Sequence, residues 1–264
     1  MSRLYEKARR EKEVENLQAL LKSVEGLPSG SPGRADAYIA ALEGVIAEMR
    51  KPMPAGEPWD FSREKEQSVF VQDGVLSIRP ISNNDTDFYV DIRMQYSAIC
   101  RVIVDTDPQK RSKLLQEVCE PECFYCIIEN SEGVSIGYLG IKDTRKEVWE
   151  IAIELDKQHT HQGYGSRSIK LYLNEISRVT GKKEFRATVE VDNLPSQRCF
   201  ESIGAELVGL CPSEILVTEE EQARFEENNL NLIDNSLRAL AERLGVEPRK
   251  LLSHVLEYRM MCPL

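Results

Sequence analysis

The feature that most constrains this chain is a strand that runs into a glycine-rich bend and then a helix. The run Glu150-Ile-Ala-Ile-Glu-Leu155 alternates as a strand does, within a strand read at 148–155. A polar loop then leads to Gly163-Tyr-Gly-Ser166, and Arg167-Ser-Ile-Lys-Leu-Tyr-Leu173 continues with helical spacing to about residue 179, where Gly181 supplies a C-cap. Such a turn points several backbone N–H groups in one direction, and with the helix dipole they suit phosphate oxygens. Glycine is needed because a side chain would hold the phosphate off the backbone, and because the turn can require positive φ. The local charge agrees. Between Lys157 and Lys170 there is no carboxylate, whereas Lys157, Arg167 and Lys170 are joined by His159 and His161. Taken alone, a Gly-x-Gly also marks many ordinary bends.

The flanking sequence supplies a framework for that turn. Further strands are read at 75–81, 124–129, 134–141, 185–191, 207–210 and 255–260, with helices at 85–104 and 110–119. Asn130-Ser-Glu-Gly133 reads as a hairpin turn between two of the strands. Upstream, Val14, Leu17, Leu21 and Val24, then Tyr38, Ile39, Leu42, Val45, Ile46 and Met49, mark two amphipathic helices around a Gly/Pro/Ser connector at 26–33. The domain reading is a helical hairpin at 1–52, a Pro-containing linker at 53–72, and one α+β domain at 73–264. An acidic helical insertion is placed within that domain at about 214–249, with helical spacing at Leu230, Leu232, Ile233, Leu237, Leu240 and Leu244.

Composition excludes several classes. A net charge of −10 argues against a nucleic-acid partner. No apolar run approaches the ~20 residues needed to span a bilayer, and the charged first residues are not a secretory signal. Seven scattered cysteines point to a reducing compartment, so the cytoplasm is the expected location. Cys119, Cys123 and Cys126 have the C-x₃-C-x₂-C spacing of a cluster-binding motif, but strand alternation sends Cys123 and Cys126 to opposite faces. They read as small apolar residues, His159 and His161 as loop residues, and no metal site is expected.

A second motif makes the reading specific. Asn193-Leu-Pro-Ser196-Gln-Arg-Cys-Phe200-Glu-Ser-Ile-Gly204 follows the strand at 185–191 and forms a short capped helix ended by glycine. Together with Thr160-His-Gln-Gly163-Tyr-Gly165, and with the order of elements over 74–264, it resembles the GNAT superfamily of CoA-dependent N-acetyltransferases. The resemblance implies a mixed, splayed sheet with helices on both faces. It implies acetyl-CoA as acyl donor and direct transfer to an amine in a ternary complex. Gly163 and Gly165 fall on the small positions of the family's pyrophosphate loop, within a cradle of Thr160, His161, Gln162, Gly163, Tyr164, Gly165 and Ser166. Leu155 falls where the family's main chain holds the pantetheine arm, and Asn193, Ser196 and Phe200 fall on the helix beside it.

Two positions depart from the family pattern. Thr160 stands where Gln or Arg is usual, and Phe200 stands where a tyrosine is proposed to protonate the leaving sulfur. Another group must then serve, or a thiol of pKa ~8.5 leaves unaided. These departures also motivate the alternative of a GNAT-fold acyl-CoA sensor with little turnover. For the base that deprotonates the amine, Glu150 is preferred and Glu154 is in reserve, with Ser196 also a catalytic candidate. Glu150, Ala152 and Glu154 share one strand face; Trp149, Ile151, Ile153 and Leu155 share the other, which reads as core. The acceptor is an amine of a small molecule or protein, and the acidic insertion favours a cationic one. The N-terminal helices offer a surface for self-association or partner docking.

Overall fold

The computed structural model describes residues 57–97, 100–101, 104–105, 107–213, 216 and 218–264. The expected N-terminal hairpin at 1–52 lies outside them. The chain divides into two compact units, one formed by Ala55–Gly209 with Leu256–Leu264, the other including Leu210–Val255.

The strands are β1 (Val71–Gln72), β2 (Leu76–Pro80), β3 (Phe124–Asn130), β4 (Ser135–Ile141), β5 (Trp149–Leu155), β6 (Glu184–Val189), β7 (Glu206–Pro212) and β8 (His254–Met261). They form one sheet in the order β1-β2-β3-β4-β5-β6-β8-β7. The β1–β5 neighbours pair antiparallel, as do β6 and β8, while β5 and β6 are parallel. A parallel pair cannot be joined by a tight turn. Here the crossover is helix α3 (Tyr164–Thr180), which carries the glycine bend at its start. The expected hairpin turn joins β3 to β4, where the Asn130 side chain accepts from the N–H groups of Glu132 and Val134 at 3.0 Å each and Gly133 takes φ 74°.

Helices α1 (Thr86–Tyr96) and α2 (Arg111–Cys119) fill the connection from β2 to β3. The sequence placed one helix over 85–104, but α1 ends at Tyr96 because Ser97 takes an extended conformation. Alternation along β3 splits the core into two layers. Tyr125 and Ile127 join Tyr89, Val90, Ile92, Leu114, Leu115 and Tyr138 on the α1–α2 side, where Ala152 also packs. Phe124 points the other way, stacking on Phe61 at 4.2 Å and meeting Phe70 at 5.0 Å. On that face the Tyr172 hydroxyl of α3 donates to the Phe124 carbonyl at 2.6 Å. Phe61 and Phe70, within the stretch read as a linker, are therefore core residues.

Both faces of β5 are covered. Trp149 joins the Phe61 layer, with ring centroids 6.1 Å apart, while Glu150, Ala152 and Glu154 turn toward the α1–α2 layer. The carboxylates thus lie beneath helices and not on an open face. Within Leu210–Val255, the expected inserted helix is broken into α5 (Glu219–Asn228) and α6 (Asn235–Leu244). Thr218 and Glu221 form a capping box at the start of α5; Asp234 caps α6 and Gly245 ends it at φ 66°. Glu226, 1% exposed, is held by Lys250 Nζ at 3.0 Å and Ser253 Oγ at 2.5 Å.

Candidate active site

The site is built where β5 leaves β6. Their pairing comprises Trp149↔Phe185 and Glu150↔Arg186 and ends there, so the two strands part within the sheet. The Glu150 carbonyl accepts from Lys142 N and the Asp156 N–H donates to the Ile136 carbonyl, both at 2.9 Å. Even-numbered backbone groups of β5 therefore serve β4, and by strand alternation those of Ile153 and Leu155 face the opening. A sheet that splays in its middle leaves main-chain donors and acceptors ready for an extended amide-bearing molecule.

The opening leads to the start of α3. Gly163 is the N-cap residue at φ 80° and ψ −3°, a left-handed conformation that favours glycine, and no side chain caps the helix. The first intrahelical acceptor bond is Arg167 N to the Gly163 carbonyl at 3.2 Å. The N–H groups of Tyr164, Gly165 and Ser166 thus occupy the orphan first turn. His161 also has positive φ, 61°, and the loop is braced by Thr160 Oγ1 donating to the Lys157 carbonyl at 2.9 Å and Gln162 Nε2 to the Gln158 carbonyl at 3.0 Å. Gly165 has a second reason to be small: a Cβ there would meet Cys199 Sγ at 3.2 Å and the Leu155 side chain at 3.7 Å.

Helix α4 (Leu194–Ser202) supplies that cysteine. Asn193 caps it, its side chain accepting from Ser196 N at 3.1 Å. Both residues sit at the same helix start, as the sequence placed them. Phe200, by contrast, is 3% exposed and stacks on Tyr258 at 5.9 Å, which makes it a core residue of this helix. Cys119, Cys123 and Cys126 form no disulfide, and among the described residues no cluster of His, Cys, Asp or Glu could hold a metal ion.

The two carboxylates of β5 differ sharply. Glu150 is 3% exposed and receives Lys142 Nζ at 2.5 Å, Arg186 Nε at 2.9 Å and Thr188 Oγ1 at 3.0 Å. Burial pushes its carboxyl up, but Lys142, Arg186 and Thr188 outweigh burial and hold it below the usual carboxylate range. At Glu154 burial prevails and the carboxyl titrates above the usual range, although Arg93, the Tyr138 hydroxyl and Lys142 all pull it down. Its Oε2 is shut from solvent and has no hydrogen-bond partner among the described residues.

Besides Tyr138 of β4, the surroundings of Glu154 include Arg93 of α1. The Arg93 guanidinium donates to the Tyr89 hydroxyl at 2.9 Å and lies 5.8 Å from that ring's centre. The Tyr96 hydroxyl donates to the Leu155 carbonyl at 2.7 Å, and Gln95 Oε1 accepts from Lys157 N at 3.0 Å. Sequence reasoning missed Tyr89, Arg93 and Tyr96. Their spacing of four and then three residues puts them on one helical face, a polar stripe on a helix that otherwise reads as core packing.

Residues 76–206 match the model of the acetyltransferase (GNAT) domain. Through this segment the chain belongs to the GNAT superfamily. Among solved structures, the GNAT fold is shared with RimL, a ribosomal L7/L12 α-N-protein acetyltransferase in complex with coenzyme A. The two are 13% identical, the match covers 74% of this chain and 99% of RimL, and the TM-score is 0.53. Mycobacterium smegmatis RimJ in complex with CoA-disulfide is 17% identical over 72% of this chain and 83% of its own, at a TM-score of 0.47. A spermidine N-acetyltransferase of Vibrio cholerae is 11% identical over 72% and 95%, at 0.48. No curated protein matches the chain. Among the described residues no helix is long and apolar enough to cross a membrane.

Proposed function

We propose that this GNAT member is an N-acetyltransferase that carries an acetyl group from acetyl-CoA directly to a primary amine of a small molecule or protein. One observation carries the reading. The splay of β5 from β6 runs into an uncapped helix start, and the partner-poor carboxylate of Glu154 lies at the same strand end. The first-turn N–H groups of Tyr164, Gly165 and Ser166 fit a diphosphate. Ile153 and Leu155 offer main-chain groups to the amide-bearing arm of the donor, with Asn193 and Ser196 at the start of the helix alongside.

An amine must lose its proton to attack a thioester, and a base positioned for this contributes ~10²–10⁴-fold. Glu154 suits the task better than Glu150. A carboxyl that titrates above the usual range is the stronger base, and the Oε2 of Glu154 has no hydrogen-bond partner among the described residues to compete for a proton. Glu150 is engaged by two cations and a hydroxyl, so it acts as a clamp on β4, β5 and β6, and the order of preference read from the sequence is reversed.

The acceptor is proposed to be a primary amine, in line with RimL, which is named as an α-N-protein acetyltransferase of a ribosomal protein. Titration calorimetry with CoA and acetyl-CoA, followed by CoA release with a panel of amines, tests the reading. Saturable binding with amine-dependent release is expected; binding without release for any amine would leave the sensor alternative. Gly165→Glu places bulk and charge against Cys199 and Leu155 at the loop, and abolition of CoA binding is expected. Unchanged affinity in a folded variant removes the loop from the site.

A further inference from the structure

The half-buried arginines of this fold are matched with acids, with one exception. Arg79 meets Asp85 and Glu129, Arg111 meets Asp87 and Asp91, Arg186 meets Glu150 and Glu257, and Arg259 meets Glu184 and Glu257. Arg93, half-buried on α1, forms no ion pair among the described residues. Its one side-chain hydrogen bond among them is the Nη1 donation to the Tyr89 hydroxyl at 2.9 Å, which leaves most of a five-donor fork unused. The face of the Tyr89 ring, 5.8 Å from the guanidinium carbon, is a weak counterweight to a cation with restricted hydration.

That fork lies in the same cluster as Glu154. Tyr89 packs on Tyr138 with ring centres 4.7 Å apart, and Tyr138 stands opposite Glu154 in the β4–β5 ladder. Arg93 and Glu154 feel each other's charge without forming an ion pair. Glu154 Oε2, shut from solvent, is the other polar group of the cluster without a partner among the described residues. A cation and an acid that stand near one another but apart, each with unused hydrogen-bonding capacity, complement a molecule that carries an amine and an anion a short, fixed distance apart.

We propose that the acceptor is a free α-amino acid, its amine directed to Glu154 and its carboxylate taken by the Arg93 guanidinium. The inference rests on the acetyltransferase reading above and names the substrate class of that site. In an α-amino acid the nitrogen and the carboxylate carbon are two bonds apart, and a planar guanidinium can hold the carboxylate through two parallel hydrogen bonds. A polyamine has no carboxylate, and a peptide N-terminus has a neutral amide in its place. Either would leave the Arg93 charge half-buried and unpaired, at a cost in affinity. In the transfer the nitrogen bonds to the acyl carbon and its proton passes to Glu154. The carbon–sulfur bond breaks with its electron pair on sulfur, the thiolate takes a proton from water, and Glu154 returns its own to water. The products are an N-acetyl amino acid and CoA, with the carboxylate and Arg93 unchanged throughout.

The test is acetyl transfer from acetyl-CoA to the common L-α-amino acids with primary amines, each compared with its own amide. The amide keeps the shape and the amine, and removes only the negative charge. For the best acceptor, kcat/KM is expected to be about 10²-fold higher for the acid, because a polar group left unpaired in the site penalises the wrong substrate. In Arg93→Gln that preference should shrink to about threefold or less, mainly through KM. Arg93→Lys keeps the charge but loses the fork, and an intermediate preference of about 10-fold is expected. Calorimetry gives a readout independent of turnover: N-acetyl amino acid should bind the CoA-loaded wild type about 10²-fold more tightly than CoA-loaded Arg93→Gln. CoA binding by each variant reports an intact fold.

Wild-type protein that acetylates the amides, spermidine or a peptide N-terminus as readily as the acids overturns the assignment, and so does a preference that survives Arg93→Gln. The first comparison uses wild type alone, so it decides the matter even where a variant does not fold. If wild type fails to bind CoA at all, the acetyltransferase reading falls and the Arg93 assignment with it. If it binds CoA and acetylates only amines without a carboxylate, the acetyltransferase reading stands and the amino-acid acceptor is lost. Arg93 is then a structural cation held by the hydroxyl and ring of Tyr89.

Discussion

Glu150 and Glu154 sit four residues apart on the same face of β5, yet they are opposite kinds of carboxylate. Glu150 lies where β5 still pairs with β6, so Arg186 and Thr188 on β6 and Lys142 beyond β4 converge on it. Glu154 lies where the strands have parted, so β6 supplies it with nothing and its surroundings are the tyrosines and Arg93 of the α1 side. The splay therefore does two things at once. It opens the sheet where the extended donor is proposed to lie, and it leaves one acidic residue without a partner from β6 while the other is held by Arg186 and Thr188 of that strand. The comparison teaches that a carboxylate's role here is set by ladder position and not by strand face.

The largest effect that could break this comparison is on turnover. Glu154→Gln removes the proposed base while preserving shape, and a loss of about 10²–10³-fold in kcat is expected with CoA affinity unchanged. In wild type, kcat should fall as pH drops through the raised Glu154 pKa, because only the carboxylate accepts a proton; the variant should lose that limb. Stability should move the other way. A carboxyl whose folded pKa is raised favours the folded state most below its unfolded value, near ~4.3, and loses that contribution as pH rises through the folded pKa. Replacing it with a neutral amide should therefore raise the thermal midpoint at neutral pH. A variant that is both slower and less stable would contradict the reading that burial outweighs the charges around Glu154.

Glu150→Gln should invert that signature. Losing one member of a buried ion pair typically costs about 3–5 kcal/mol, but Lys142 and Arg186 are 32% and 27% exposed and can regain water. A loss of about 2 kcal/mol is expected by chemical denaturation, with kcat changed less than in Glu154→Gln. Because the folded pKa of Glu150 is depressed, its contribution is present above ~4.3 and disappears as pH falls through the folded value. The wild-type and Glu150→Gln denaturation curves should thus converge in acid. If kcat falls as far as in Glu154→Gln, Glu150 returns as the base.

The sequence made much of this legible, and the limits have physical causes. The strand–bend–helix unit at 149–180 was readable because alternation, glycine and helical spacing are all local. The Asn193 cap was readable for the same reason. The ranking of the two carboxylates was not, because it depends on Lys142, Arg186 and Thr188 from three different positions in the sheet and on where a parallel ladder ends. Tyr96 escaped because its partner, the Leu155 carbonyl, and Gln95's partner, Lys157 N, lie 59 and 62 residues away along the chain. The break between α5 and α6 is marked by Asp234, a cap residue that the Leu and Ile spacing around it obscured.

The smallest effect is the sharpest test of the clamp. Thr188→Val is nearly isosteric and deletes only the hydroxyl that reaches Glu150 Oε1 at 3.0 Å, leaving both cations in place. A hydrogen bond to a charged group is worth about 1.5–3 kcal/mol when lost cleanly, but the remaining Lys142 contact to the same oxygen should limit the deficit to about 1 kcal/mol. Turnover, its pH dependence and CoA affinity should all stay at wild-type values, since nothing at Glu154 or the loop changes. A stability loss without a kinetic one would show that the paired end of β5 can be weakened on its own. A shift in the acidic limb of kcat would instead mean that the two carboxylates share their protons, and the division between clamp and base would have to be abandoned.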